Sequence, residues 1–443
     1  MTSSTDHGPD IVPVEYPDEM LTIAREFGLP SYIHVFMSYP ERLDADRLAR
    51  AVRLLVDAEP VLGCRFELTR KGPVWRRHPD LDAVTWLEHA TAPDFDTAVA
   101  NTLITEEQPN ERNIVVRLFS LPGHDVVAVS INHAAGDGQG TLESTYHLAS
   151  FYSMLRDLPA FRPVPNMAAR DGFAWQQGLT WRDKLRTLKR DIGDARRAGR
   201  NPTGIRHQHD LDTWRAAPRT SPGFVDRWVE PADMDAVRRL ASHHATSVFA
   251  ILVSATARAF VDFADADPNR PFHVQTATDL RRFAPTPERP PVRNMATLAS
   301  MTFHPARQHG FAVTLENTKQ EMERLRAGMR GAMNPIAVSV LRRLSYATKR
   351  RLTEKAFRGK FRNAIPPTFS YVGRVREDMV RLDTTSPDRV LMIGGCLPMP
   401  VLLVLGLEYR GGLSLSIGFQ KDDIAADKLR RFVDDIVDHI PMD

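Results

Sequence analysis

The sequence predicts an α/β protein built as two lobes, each a mixed β-sheet covered by helices. Three observations lead there. Segments of strand character alternate with segments of helical periodicity in both halves of the chain. A proline-punctuated, basic stretch at residues 160–222 interrupts that alternation near the middle. And 443 residues exceed one ordinary hydrophobic core, at roughly 100–200 residues per packed unit. The expected units are a first lobe at 1–165, a crossover at 166–221 and a second lobe at 222–443.

Taken in order, residues 31–39 ("SYIHVFMSY") are rich in β-branched and aromatic side chains and predict a strand. Residues 43–60 predict a helix: Leu48, Val52 and Leu55 fall at helical spacing, aspartates stand near the start and Pro60 follows the end. Strands are expected at 61–68, 113–121 and 125–133, with a helix at 94–107. After Gly140, Leu142, Tyr146, Ala149 and Tyr152 trace one helical face. The crossover contains "WRDKLRTLKRDIGDARRAGR" (181–200), expected as an amphipathic helix.

The second half restarts with a strand at 223–230 and helices at 233–244 and 247–263. Strands follow at 271–282 and 295–303, then a helical pair at 311–331 and 336–362. Four more strands are expected at 367–375, 389–395, 400–410 and 413–420. Arg410, Gly411 and Gly412 turn the last two into a hairpin. A closing helix runs over 424–440, and no short-period repeat is present.

Bulk properties narrow the function. A net charge of +3 is too weak to argue for a nucleic-acid partner, and no zinc-finger spacing or aromatic-basic RNA motif occurs. Cys64 and Cys396 read as small buried hydrophobes in a reducing compartment. The opening "MTSSTDHGPDIV" lacks a secretory pattern, and the longest apolar stretch (398–407) is far short of the ~20 residues of a spanning helix. The expectation is a cytoplasmic protein.

The stretch that asks for chemistry is "SINHAAGDGQG" (130–140). At period two, Val127, Val129, Ile131 and His133 share a face, so His133 ends a buried strand. A core histidine satisfied by hydrogen bonds is one reading. The other rests on its neighbours: Gly136 and Gly138 permit a tight turn, and Asp137 places a carboxylate four residues from the ring. No second histidine stands at ligand spacing, so a metal-dependent hydrolase is disfavoured and no metal is expected. His243 and His244 lie within a helix with no following Asp-Gly. No G-x-S-x-G elbow occurs, and neither cysteine sits in a nucleophile motif.

His133-Ala-Ala-Gly-Asp137-Gly138 resembles the HxxxDG motif of the acyltransferase superfamily with the chloramphenicol acetyltransferase fold. That superfamily includes nonribosomal-peptide condensation domains, plant acyltransferases, and bacterial polyketide-associated and alcohol acyltransferases. The resemblance extends to residues 48–68 ("LARAVRLLVDAEPVLGCRFEL"), to the helices that open the second half, to "TATDLRRF" (276–283) and to "FSYVGRV" (369–375). It covers the chain from about residue 12 to residue 440. Three departures stand out. Asn132 replaces the first of the two histidines usual in condensation domains, which leans towards stand-alone ester-forming members. The plant DFGWG and the wax-ester-synthase Asn-Gly-Asn-Arg elements are absent. Tyr371 replaces the usual Asn of the late strand.

The resemblance implies two chloramphenicol acetyltransferase-like lobes with an active-site channel between them. It implies an acyl group moved from a thioester to a hydroxyl or amine by direct attack, with His133 as general base. Asp137 would pair with Arg281 of the second lobe in a supporting role. Gly138 and Ser370 would serve as oxyanion donors, and Asn132 or Ser370 as substrate contacts. No cofactor is bound permanently; acyl-coenzyme A or a phosphopantetheinyl acyl carrier is the co-substrate. Residues 341–363 carry Arg342, Arg343, Lys349, Arg350 and Arg351, read either as a solvated helix face or as a docking surface for an acidic acyl-carrier protein or the phosphates of coenzyme A. A monomer is expected. The competing reading is a catalytically silent condensation-like module that binds a carrier protein or partner enzyme.

Overall fold

The computed structural model describes residues 9–30, 32–104, 111–197, 203–205, 211–216, 220–265, 267, 270–283, 289–305, 310–326, 334–361 and 364–442. The first part of the chain runs β1 (Ile11–Pro13), α1 (Tyr16–Glu26), β2 (Tyr32–Tyr39), α2 (Ala45–Ala58), β3 (Cys64–Thr69), β4 (Gly72–Arg77) and β5 (Leu87–Thr91). It continues with α3 (Phe95–Ile104), β6 (Ile114–Leu121), β7 (His124–Asn132) and α4 (Gly138–Asp157). The crossover holds α5 (Trp181–Arg197) and α6 (Leu211–Ala216). Then come β8 (Pro222–Val229), α7 (Pro231–His243), α8 (Val248–Phe263), β9 (Phe272–Asp279) and β10 (Ala296–Phe303). The helices α9 (Phe311–Arg326), α10 (Pro335–Arg342) and α11 (Tyr346–Phe361) follow. The chain closes with β11 (Thr368–Arg374), β12 (Arg389–Ile393), β13 (Leu403–Tyr409), β14 (Gly412–Gln420) and α12 (Ala426–Asp438).

Two mixed sheets organise the molecule. The first has the strand order β12-β2-β7-β6-β5, and the second β10-β9-β11-β13-β14-β8. Both faces of the first are covered, which is why β2 and β7 read as nearly unbroken apolar runs. Val127, Val129 and Ile131 of β7 enter the core shared with α2 and α4. The alternate residues Val126 and Ala128 enter a second core against α3. The second sheet buries one face under α7, α8, α9 and α12 through residues such as Phe260, Phe272, Phe369 and Phe432. A small third sheet, β1-β4-β3, flanks the first.

The two halves are interlocked. Between β11 and β13 the chain leaves the second sheet, and β12 pairs antiparallel with β2 of the first, Leu391 opposite Phe36. Residues 389–393 thus complete a sheet whose other strands lie before residue 133.

Several elements differ from the sequence reading. The helix expected over 336–362 is two, because Ser345 starts a new one: its hydroxyl accepts from the Thr348 N–H at 3.2 Å. The strand expected over 271–282 stops at Asp279 and tightens into a 3-10 turn at Leu280–Phe283. The ends of the expected segments 94–107, 181–200, 311–331 and 336–362 fall partly outside the described residues.

The basic docking face is the larger correction. Arg342 pairs with Glu15 at 3.3 Å and Asp171 at 2.6 Å, Lys349 is buried on Glu19, and Arg350 pairs with Glu26 at 2.5 Å. Tyr346 also donates to Glu26, and Phe357 stacks on Phe27 at 5.5 Å. Most of the expected carrier-docking cations are therefore neutralised by the protein's own α1 and its flanks. Of the five named, Arg343 and Arg351 remain exposed.

Candidate active site

The turn after β7 is shaped by Asn132. Its side-chain N–H donates to Asn113 Oδ1 at 3.0 Å, and its Oδ1 accepts the Ala134 N–H at 3.0 Å. Its carbonyl accepts from Ala135 and Gly136, at 2.8 and 3.1 Å. Asn132 is 1% exposed, so the expectation that it contacts substrate is corrected. Its amide is spent bending the chain.

His133 follows, one residue beyond the strand. Its ring is half-buried, and Nδ1 is buried without a hydrogen-bond partner among the described residues. His34 on the neighbouring β2 shows the contrasting case. It is 2% exposed, its Nδ1 is bonded to Ser130 Oγ at 2.8 Å, and burial, assisted by Arg117, pushes its pKa down to about 3. That is a satisfied core histidine. His133 is not one.

Asp137 caps α4. Its Oδ1 accepts the Gly140 N–H at 2.9 Å, stabilising the first turn. Its Oδ2 accepts the Met295 N–H at 2.8 Å. Both oxygens also accept from Arg281, at 2.9 and 3.0 Å. The structure thus brings Asp137 and Arg281 together in a bidentate pair across the two lobes, and none of these four bonds goes to His133. Burial alone would raise the Asp137 carboxyl; the Arg281 guanidinium and the two backbone N–H groups outweigh it and hold it below the usual range. Burial likewise opposes the charge on Arg281, and Asp137 more than compensates, raising its pKa.

A second set of residues, which the sequence did not single out, clamps the turn. Arg170 donates to the Ala135 carbonyl at 2.8 Å, to the Val292 carbonyl at 2.8 Å and to Asp18 at 2.7 Å. Asn294 donates to the Ala134 carbonyl at 2.8 Å and to Asp18 at 3.1 Å. Trp75 adds an N–H to Asp18 at 3.0 Å. Buried Glu59 accepts the Val292 N–H at 3.0 Å, and burial raises its carboxyl despite that bond. The carbonyls on both sides of the bend are therefore held from α1, the crossover and the segment before β10. Backbone approach is close: a Cβ on Gly136 would lie 2.8 Å from Val292 Cγ1.

On the other side, β11 passes the start of α4. Phe369 and Tyr371 face the core beneath α7, α8, α9 and α12, which sets Ser370 and Val372 on the opposite face. A Cβ on Gly138 would sit 3.8 Å from Val372 Cγ2 and 3.9 Å from Met392 Sδ, ordinary contact distances. Gly138 is the first residue of α4, where a helix leaves its N–H groups without intrahelical partners. Ser370 is half-buried. The Tyr371 hydroxyl donates to Glu408 within the second lobe. A cavity of about 390 Å³ at the base of that lobe, lined by Thr203, Phe263, Asp265, Arg270, Ile424 and Lys428, involves none of these residues.

No family model matches the chain, and no curated protein matches it in sequence. Its architecture is shared with solved structures. The first condensation domain of the calcium-dependent antibiotic synthetase superposes with a TM-score of 0.69 at 16% identity, over 98% of this chain and 97% of that one. The trichothecene 15-O-acetyltransferase of Fusarium sporotrichioides gives 0.68 at 11% identity, over 99% of each chain. Polyketide synthase associated protein 5 of Mycobacterium tuberculosis gives 0.64 at 14%, over 96% of each. With its interlocked lobes and the His133 turn held between them, this chain shares the two-lobed fold of those condensation-domain and acetyltransferase structures.

Proposed function

We propose that the protein is an acyltransferase. It moves an acyl group from a thioester of coenzyme A or an acyl carrier to a hydroxyl or amine of a small molecule. The observation that carries this reading is the state of His133: half-buried, with an unpartnered Nδ1, on a turn fixed by hydrogen bonds from the crossover and the second lobe. With Nδ1 turned inward, Nε2 is the nitrogen open to a substrate.

In the step proposed, the acceptor oxygen or nitrogen attacks the thioester carbonyl while His133 takes its proton. The tetrahedral oxyanion is met by N–H groups at the start of α4, Gly138 first, and by the Ser370 hydroxyl. Collapse breaks the carbon–sulfur bond, and the imidazolium returns the proton to the leaving thiolate. Ester or amide and free thiol result. Asp137 and Arg281 tie the lobes together around this turn and do not relay the proton.

The test is turnover of purified protein with acyl-coenzyme A and acyl-carrier thioesters against alcohol and amine acceptors, followed by thiol release. Replacing His133 by Ala should lower kcat by about 10²–10⁴-fold with the fold intact. A His133→Ala protein as fast as the parent would remove His133 as the base.

A further inference from the structure

We propose that α5 is an interfacial helix that seats the protein on an anionic lipid surface, lying in the plane of the membrane. The helix carries two parallel rows. Trp181, Leu185 and Leu188 recur at i, i+4 and i+7, and are 64%, 38% and 36% exposed although apolar. Arg182, Arg186 and Lys189 form a second exposed row, displaced from the first by one residue, about 100° around the axis. The face opposite the cationic row is the one the protein uses. Thr187 is 4% exposed, α10 packs there, and Asn334 of its N-cap donates to Asp191 at 2.7 Å.

Charge complementarity decides the occupant. From Trp181 to Asp191 five cations stand against two carboxylates. Both carboxylates are engaged within the protein: Asp183 accepts from Thr180 at 2.6 Å and pairs with Arg186 one turn on at 3.2 Å, and Asp191 accepts from Asn334, leaving a net charge of +3 on the stretch. The outward field of α5 is therefore positive beside a Trp-Leu stripe, the composition of a helix that rests in the headgroup layer. Among the described residues no single helix is long and apolar enough to cross a membrane.

Flotation of the full chain with vesicles tests this. The protein should rise with phosphatidylcholine vesicles containing one-third phosphatidylglycerol, remain behind with pure phosphatidylcholine, and be stripped as NaCl rises from ~0.1 to ~0.5 M. Replacing Leu185 and Leu188 by Asp should abolish flotation. Replacing Arg182, Arg186 and Lys189 by Gln should weaken it by about fivefold per charge. These side chains are exposed, so thermal midpoints should stay within a degree or two of the parent. Failure to float on anionic vesicles, or flotation of the Asp variant equal to the parent's, overturns the proposal. Capture of an acidic carrier protein through α5 without flotation would assign the face to protein and overturn it too.

Discussion

Two titratable side chains four residues apart live in opposite surroundings at the HAAGDG turn. Asp137 collects four donors, while the buried nitrogen of His133 collects none. Removing the carboxylate leaves Arg281, whose side chain is 23% exposed, with the more exposed Asp279 at 3.2 Å as its charge partner, and uncaps α4. Asp137→Ala should therefore cost about 3–5 kcal/mol in denaturant unfolding, with Asp137→Asn losing less because the amide still caps. The pH behaviour has a definite sign. The native carboxyl holds its proton less tightly than in the unfolded chain, so its contribution is present above about pH 4 and is lost as pH falls through the native value. The Asn variant should show a shallower acid loss of stability than the parent, by chemical denaturation across that range.

At the scale of elements, the site is a strand end, a bend and a helix start pressed against another segment. Gly136 faces Val292 so closely that a methyl group must displace it, whereas Gly138 has room for one. Gly136→Ala should destabilise by about 1–3 kcal/mol, read as a fall in melting temperature, and Gly138→Ala should leave the melt close to the parent's. This part of the molecule was legible in the sequence because its information is local. Alternating valines, a histidine and two glycines lie within a dozen residues, and a resemblance pointed to Arg281. The clamp of Asp18, Arg170 and Asn294 was not legible. Each is an isolated polar residue in its own segment, and their meeting depends on three separate pieces of chain converging. The Leu341–Arg351 cations misled for the same reason: no periodicity within α10 and α11 reveals that the acids of α1, over 300 residues earlier, will lie against them.

For the molecule as a whole, that contact of α1 with α10 and α11 joins the first part of the chain to the last third and makes stability depend on pH. Burial raises the Glu15 carboxyl to about 6; Asp171 and Asp18 add to the rise and Arg342 opposes it. A raised carboxyl means that the native state binds the proton more tightly than the unfolded chain. Stability should thus be greatest below about pH 4.5 for this group and decline as pH climbs to 6, by about 1 kcal/mol after solvent screening. Glu15→Gln should flatten that decline in denaturation midpoints and leave the acid-side loss assigned to Asp137 in place.

The late arrival of β12 has a consequence for how the chain is made. At ~5–20 residues per second, roughly 10–50 s separate the emergence of Asn132 from that of Ile393 on the ribosome. Throughout that interval the edge of β2 that β12 will cover, the five residues His34–Ser38, has no strand to pair with. The first half is a folding debtor until translation is nearly over. A gene split at the crossover would deliver two halves, neither of them whole.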